Sequence, residues 1–551
     1  MSPTTVKRAL QLTLSTLLSF TAALDPRADL GYAIYEGTSL SNGVNQFLGM
    51  RYAAPPLGQN RFRLPSPPSN ETGIVQAKEH GSICYGVEKL AFSSVPLPLS
   101  EDCLFIDVYA PAQANTTDKA GLPVMLWLQG GAFVQLFNPN YNGTGLVEAS
   151  QDNVVVVSFN YRVGPYGFLA SEELQAENNL NLGLHDQRAA MRWVQQHIRQ
   201  FGGDPNQVTL FGTSIGGGSV LLQTLAYGGD PPLEAAVSWK AGIAASVYMP
   251  PVREVPDLQF QYDQLLNATN CTNLACLRSL DSASFQAANI GRPSPGESAV
   301  PLFPYGPVID GSLLTDTPLQ MLRAGKFNHT RPLILGSSHT EGTIFVPQAN
   351  TTADIASFLQ LQFPDLTDRD IQKANDLYAT TPSTLPGVTT PESPLYYQLA
   401  EMYGDAAFAC PTLEFAAGLS EAGVPIHLFR DQILDAVEVA AGYIVPHTWE
   451  VQAVWGPEFA TSYVALTGAD SYDEGEANHA MVSVVQDYWM GFVRSLGDPN
   501  ALKSWGAPAW LPYGNGMRLK LKTNATMMES VLAVEFQKCD FWTGVSRRTY
   551  I

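Results

Sequence analysis

The feature that most constrains this chain is the run Gln207-Val-Thr-Leu-Phe-Gly-Thr-Ser-Ile-Gly-Gly-Gly-Ser-Val220. Val208 and Leu210 alternate with polar residues and lead into Phe211, the pattern of a short buried strand. Val220, Leu221, Leu222 and Leu225 follow at helical spacing. Between them lies Gly212-Thr-Ser-Ile-Gly216, and a strand that passes into a helix through G-x-S-x-G reads as a nucleophile elbow. The turn at Ser214 is so tight that flanking side chains would collide, so glycine stands at both ends. It lifts the hydroxyl out of the sheet and aims the first amides of the helix, the positive end of its dipole, at whatever the serine attacks. By chance the pattern arises in roughly one chain in four of this length and glycine content. A solvated serine in a glycine-rich turn is the competing reading, so the surroundings of the motif carry the argument.

Apolar runs of strand length recur on both sides of the elbow. Leu122–Leu128 ends in Gln129-Gly-Gly-Ala-Phe133, Val154–Val157 leads into Asn160-Tyr-Arg-Val-Gly-Pro-Tyr-Gly-Phe168, and Pro332–Gly336 and Ile426–Phe429 come later. Runs without polar alternation fit strands covered on both faces, as in a parallel sheet. Further strands are expected near Phe47, before a Pro/Gly-rich segment reaching Pro67, and from Leu104 to Tyr109. From Asp186, a helix presents Ala190, Val194 and Ile198, with Ala189, Trp193 and Phe201, and stops at Gly202-Gly-Asp-Pro205. Residues 478–496 form a second amphipathic helix, with Met481, Val484, Val485, Tyr488, Trp489 and Phe492 on one side. There is no Ser/Gly/Pro-rich linker, charge block or repeat. The expectation is one α/β domain over residues 24–551, built on a large, mostly parallel sheet with helices on both faces.

Asp and Glu number 51 against 31 Lys and Arg, a net charge of −20. That argues against nucleic acid as a partner, because phosphates need clustered cations. Residues 1–23 have the form of a secretory signal: Lys7 and Arg8, an apolar stretch from Ala9 to Phe20, then the small residues Thr21-Ala22-Ala23. That stretch is too short to span a bilayer comfortably and no later segment is long and apolar enough, so no stable membrane anchor is expected. The C-terminus, Ser546-Arg-Arg-Thr-Tyr-Ile551, is neither a lipid-anchor tail nor an ER-retention signal. Six cysteines make an even count suited to an oxidising compartment. Asn70, Asn115, Asn142, Asn267, Asn270, Asn328, Asn350 and Asn524 begin glycosylation sequons, with poorer occupancy expected at Asn270 beside Cys271. Export through the secretory pathway follows, either to the outside or to a vacuole or vesicle.

A serine hydroxyl needs a base, and the base an orienting carboxylate; behind an elbow these come in the order Ser, Asp or Glu, His. Of eight histidines, His80, His185 and His197 precede the serine, His329 lies in a sequon, His427 in an expected strand and His479 at the start of a helix. Those six read as structural. His339 lies in Gly336-Ser-Ser-His-Thr-Glu-Gly342, directly after a strand, and His447 in Ile444-Val-Pro-His-Thr-Trp-Glu-Val451, ahead of a possible strand. The order Ser214, Glu341, His447 meets the requirement and puts the acid just past a strand, where ligands of such sheets gather. A solvated loop carboxylate is the competing reading of Glu341. No metal-binding motif or spare Cys/His cluster is present, so no metal or cofactor is expected.

Taken together, these segments resemble the type-B carboxylesterase family, α/β-hydrolases that include cholinesterases and fungal esterases and lipases. The resemblance covers nearly the whole mature chain: Phe47–Pro67, Glu101-Asp-Cys-Leu104, Gly130-Gly131, Asn160–Gly164, the Asp186–Pro205 helix, the elbow, Glu341-Gly342 and the His447 loop. It implies Ser214 as nucleophile, Glu341 as triad acid, His447 as base, and the amides of Gly130, Gly131 and Ile215 as the oxyanion hole. It also implies disulfides Cys84–Cys103, Cys271–Cys276 and Cys410–Cys539. The chain departs from the family in having Thr213 where a glutamate is usual and Ile215 where alanine is. Loss of that buried carboxylate beside the histidine is expected to shift the pH profile modestly, and the bulk of Ile215 to narrow the acyl pocket. Gln129, where an aromatic or histidine is frequent, reads as tolerated.

The Cys84–Cys103 loop has apolar residues (Leu90, Phe92, Val95, Leu97, Leu99) but no Trp, and is too short for a full interfacial lid. Phe133 and Phe137 are placed to line the pocket, with core packing the competing reading. The function expected is a secreted, fungal-type serine esterase acting on fairly apolar, dissolved small-molecule esters. Acyl transfer or lactone processing in a natural-product pathway, a lipase, and a non-catalytic adhesion protein of the same fold are the alternatives. The residues do not specify an oligomeric state.

Overall fold

The computed structural model describes residues 26–88, 98–114, 121–136, 141–390, 392–460, 470–514 and 516–551. The expected signal at 1–23, Asn115, Phe137 and residues 89–97 of the Cys84–Cys103 loop lie outside them.

Eleven strands form the central sheet: β1 (Thr38–Ser39), β2 (Val44–Arg51), β3 (Phe105–Pro111), β4 (Leu122–Leu128), β5 (Val155–Phe159), β6 (Gly203–Thr213), β7 (Ala241–Ala245), β8 (Leu333–Ser338), β9 (Ile426–Asp431), β10 (Met517–Leu521) and β11 (Met527–Ser530). Their spatial order is β11-β10-β9-β8-β7-β6-β4-β5-β3-β2-β1. Every pairing from β10 across to β5 is parallel. Antiparallel pairings are confined to the two margins. The expected α/β sheet is the one observed.

The apolar runs are explained by burial on both sides. Along β4, Val124, Leu126 and Leu128 enter one core while Met125 and Trp127 enter the other; along β5, Val157 and Phe159 face the first and Val156 the second. Successive side chains point to opposite faces, so a strand covered twice is apolar on both, with Ser158 of β5 the buried exception in these two strands. Helices α1 (Leu182–His197) and α2 (Ile215–Leu225) close the first core through Ala190, Trp193, Val194, Val220 and Leu221. Helices α4 (Glu450–Trp455) and α5 (His479–Ser495) close the second through Trp455, Met481, Val485, Tyr488 and Trp489, and α3 (Cys410–Glu421) packs on the first.

Three boundaries differ from expectation. Helix α1 starts at Leu182 rather than Asp186, because Leu182 and Leu184 are core residues and Asp186 is an interior helical position gripped by Arg162. Strand β6 begins at Gly203, with a register shift before Val208. The residues after His447 form a helix, not a strand. All six residues of α4 are buried, and Trp455 packs against Trp127 and Tyr141 at 5.2 Å, so an amphipathic period has nothing to select. The three expected disulfides, Cys84–Cys103, Cys271–Cys276 and Cys410–Cys539, are formed.

Candidate active site

Strand β6 delivers Ser214. The chain turns there with φ 59° and ψ −128°, a conformation that costs a residue with a side chain about 1–3 kcal/mol, before α2 begins at Ile215. Neighbours hold it: the Ser214 amide donates to the Ala245 carbonyl of β7 at 3.0 Å, and its carbonyl accepts from Gly218 at 2.9 Å and Tyr248 at 3.1 Å. Close approach, not φ, dictates the flanking glycines. A Cβ on Gly212 would meet the Gly216 backbone at 2.2 Å, and one on Gly216 would meet the Leu128 carbonyl oxygen at 2.0 Å.

Glu341 lies in the turn past β8, and His447 in the loop past β9. Parallel strands end on the same side, so acid, base and serine arrive together. His447 Nε2 is 2.8 Å from Ser214 Oγ, and Nδ1 is 2.5 Å from Glu341 Oε2. The other carboxylate oxygen, Oε1, accepts the Ser338 amide at 2.6 Å, which fixes the acid's orientation. With Nδ1–H donating to the carboxylate, Nε2 offers its lone pair to the hydroxyl. Glu341 and His447 are 3% and 4% exposed, while Ser214 keeps partial access. Phe408 and Phe345 stand edge-on to the imidazole at 4.7 and 5.1 Å. His339, the competing histidine, is exposed, and Arg430 Nη2 donates to its Nδ1 at 3.1 Å.

Gly130 and Gly131 follow β4, the strand beside β6. A Cβ on Gly130 would stand 3.9 Å from Ser214 Oγ, and the Gly131 carbonyl is taken by the amides of Val134 and Gln135. Among the described residues, no protein acceptor takes the N–H of Gly130, Gly131 or Ile215. Three such donors around a serine are the equipment for holding an oxyanion. Gln129 is buried and braces this loop: its Nε2 donates to the Phe159 carbonyl at 2.5 Å and to Asn160 Oδ1 at 3.1 Å.

Residue-by-residue reading missed a second layer. Thr213 Oγ1 donates to Glu450 Oε1 at 2.5 Å, and Ser246 Oγ to Glu450 Oε2 at 2.8 Å. Ser246 Oγ is also 3.2 Å from Ser338 Oγ, on the residue whose amide holds Glu341. Burial raises the Glu450 pKa above the ordinary glutamate value and the Glu341 charge adds to it, while the Thr213 and Ser246 hydroxyls pull it back. Asp431, fully buried at the end of β9, is raised well above the usual range, first by burial and then by Glu450 and Glu341. Its Oδ2 has no hydrogen-bond partner among the described residues. The expectation that Thr213 leaves the base of the elbow without a buried carboxylate is therefore corrected: Glu450 supplies one. The one available signal was a lone acid in the apolar stretch from Val445 to Trp455.

Phe133 is also corrected. It is fully buried and stacks on Phe168 at 4.3 Å, a core position rather than a pocket wall. Ile215 is likewise fully buried, with Cδ1 turned toward Gly218 of its own helix. Of the sequons, Asn70, Asn267, Asn270, Asn350 and Asn524 are exposed, and Asn142 and Asn328 half-buried. No helix among the described residues is long and apolar enough to cross a membrane.

The family model described as the carboxylesterase family matches residues 31–542. Lipase 2 of Geotrichum candidum is 32% identical over 455 residues, covering 74% of this chain and 80% of its own length. Secreted lipase 4 of Gibberella zeae is 30% identical over 506 residues, covering 88% and 86%. The crystal structure of Aspergillus niger EstA superposes with a TM-score of 0.88 at 38% identity, over 96% of this chain and 99% of that one.

Proposed function

The chain belongs to the carboxylesterase family and is a carboxylic ester hydrolase, and on that premise we propose that Ser214 is the nucleophile, His447 the general base and Glu341 the carboxylate that orients it. The observation that carries this reading is the continuous line from Ser214 Oγ through the imidazole to Glu341, at 2.8 and 2.5 Å. As Oγ attacks the ester carbonyl carbon, its proton passes to His447 Nε2 and the carbonyl π electrons move onto oxygen. Amides of Gly130, Gly131 and Ile215 hold that oxyanion, each donor lowering the barrier by about 3 kcal/mol. Collapse breaks the bond to the alkoxide oxygen, which takes the proton from Nε2 and leaves as alcohol. Water then gives its proton to Nε2 and attacks the acyl-serine, releasing the acid and restoring Ser214.

For the substrate we favour fairly apolar, dissolved esters. Tyr248, Phe303, Phe345, Phe408 and Tyr403 form a chain of ring contacts that ends on the His447 imidazole. Of these rings Phe303 and Phe345 keep partial exposure, and an apolar face there favours an apolar acyl group over a charged one. Two relatives bear the name lipase, so long-chain esters are the second reading. Export follows the same logic: three disulfides, the signal-like residues 1–23, the sequons and a relative named as secreted all support it.

The test is hydrolysis of a p-nitrophenyl ester series, acetate to palmitate, by wild type and Ser214→Ala. Activity that disappears in the variant, with an optimum at short to medium chains, is the expected result. A palmitate optimum selects the lipase reading. Undiminished turnover by Ser214→Ala refutes the nucleophile.

A further inference from the structure

Elsewhere in this chain buried arginines are matched by carboxylates: Arg61 by Glu101, Arg162 by Asp186, Arg278 by Glu177, and Arg518 by Glu529 and Glu535. At the end of the sheet opposite Ser214 the pattern breaks. Lys240 immediately precedes β7, and Arg331 stands two residues before β8. Arg188 and Arg192, on α1, lie close enough to add their charge to this region. Among the described residues, none of these four cations pairs with a carboxylate. In a chain of net charge −20, an unmatched basic cluster is not a by-product of composition.

The cluster borders a crevice of about 410 Å³ lined by Gln195, Ser238, Trp239, Lys240, Thr330 and Arg331. Arg331 is fixed in place: its guanidinium lies 3.9 Å over the Trp239 ring, and Nε donates to the Trp239 carbonyl at 3.1 Å. Those contacts leave Nη1 and Nη2 uncommitted, in the fork geometry that suits a planar or tetrahedral oxyanion. Arg188 is bound only by neutral oxygens, Gln223 Oε1 at 2.8 Å and the Ala235 carbonyl at 2.6 Å. Burial, with Arg188 close by, lowers Arg331 to about 10, so it stays a cation at neutral pH while lacking the carboxylate that the other buried arginines have. Thr330 Oγ1 already donates to Asn328 Oδ1 at 2.9 Å. The free donors facing the crevice are therefore on Arg331, Lys240, Ser238 and Gln195.

We propose that this crevice is a binding site for a phosphate dianion, free or as a phosphomonoester, held by the Arg331 fork and the Lys240 ammonium, with Ser238 and Gln195 as neutral donors. The site is separate from the catalytic one: Lys240 and Ser246 flank β7 at opposite ends, about 20 Å apart at the rise of an extended strand. The crevice is larger than one phosphate, so an organic substituent fits beside it.

The experiment is isothermal titration of the full secreted chain with inorganic phosphate and with glycerol phosphate, at constant ionic strength against chloride. One equivalent of each is expected to bind, the ester at least as tightly as the free ion. Lys240→Gln, a change to an exposed side chain, is expected to weaken both at least tenfold. Arg331→Gln is expected to do the same while ester hydrolysis at Ser214 is unchanged. Stronger binding of the free ion than of the ester assigns the site to inorganic phosphate. No binding in the millimolar range, or equal affinity in wild type and Lys240→Gln, overturns the proposal.

Discussion

The hydroxyl of Thr213, immediately before the proposed nucleophile, donates to Glu450 Oε1 at 2.5 Å across 237 positions of sequence. The acid that relatives are expected to carry at position 213 is thus replaced in space by one that arrives from the start of α4. Negative charge on Glu450, where it is ionised, stabilises positive charge that develops in the triad during the reaction. Glu450→Gln is therefore expected to move the acidic limb of the kcat/KM–pH profile to lower pH. Thr213→Glu, which adds a second buried acid, is expected to move it higher. Profiles that coincide with wild type in both variants would refute this link.

Asp431 makes a prediction about stability. Its folded pKa is raised, chiefly by burial, so the folded chain binds this proton more tightly than the unfolded one. The stabilisation is complete below the unfolded value of about 3.9 and is lost as pH rises through the folded value. Asp431→Asn keeps an acceptor for the Ile433 amide and removes the buried ionisation. Its Tm relative to wild type should rise as the pH is raised from about 4. A pH-independent difference would show that Asp431 has the same pKa in the folded and unfolded chains.

Glu341→Gln tests the orienting role without changing shape. An amide can present its NH₂ to Nδ1 and so favour the wrong tautomer at Nε2. A fall in kcat on the order of 10⁴-fold, at unchanged Tm, is the expected outcome. A loss under about tenfold would mean that the imidazole is oriented by other contacts.

The disulfides should rank by the chain they enclose. Cys410–Cys539 spans 129 residues and Cys271–Cys276 spans 5. Loop-closure entropy assigns roughly 5 kcal/mol to the first and roughly 2 kcal/mol to the second. Paired Cys→Ala variants, compared by chemical denaturation, should show that order. The reverse order would place their effect in the native packing.

A buried Trp cluster shows how far sequence reading reaches. Runs such as Leu122–Leu128 signalled strands buried on both faces, and Trp127 is such a residue, but its partners Tyr141 and Trp455 come from segments that no periodicity links to it. The helix over Glu450–Trp455 was legible neither by period nor by length, because every face of it is covered. Phe133 read as a pocket residue from its place after the glycines; the ring of Phe168, from the short helix Gly164–Phe168, makes it core.

By itself the sequence determined what depends on neighbours along the chain: the strand–turn–helix around Ser214, the apolar runs of a doubly covered sheet, and the order of serine, acid and histidine. These are set by local backbone sterics and by the alternation of side chains, which act over a few residues. Tertiary structure decided which loop carboxylates and hydroxyls meet. It separated His447 from His339, joined Glu450 to Thr213 and Ser246, and left Arg331 and Lys240 without a paired acid among the described residues. Those outcomes depend on the register of β6, β7, β8 and β9 and on where their ends emerge. A shift of one residue in β6 would turn Thr213 to the other face and take its hydroxyl from Glu450.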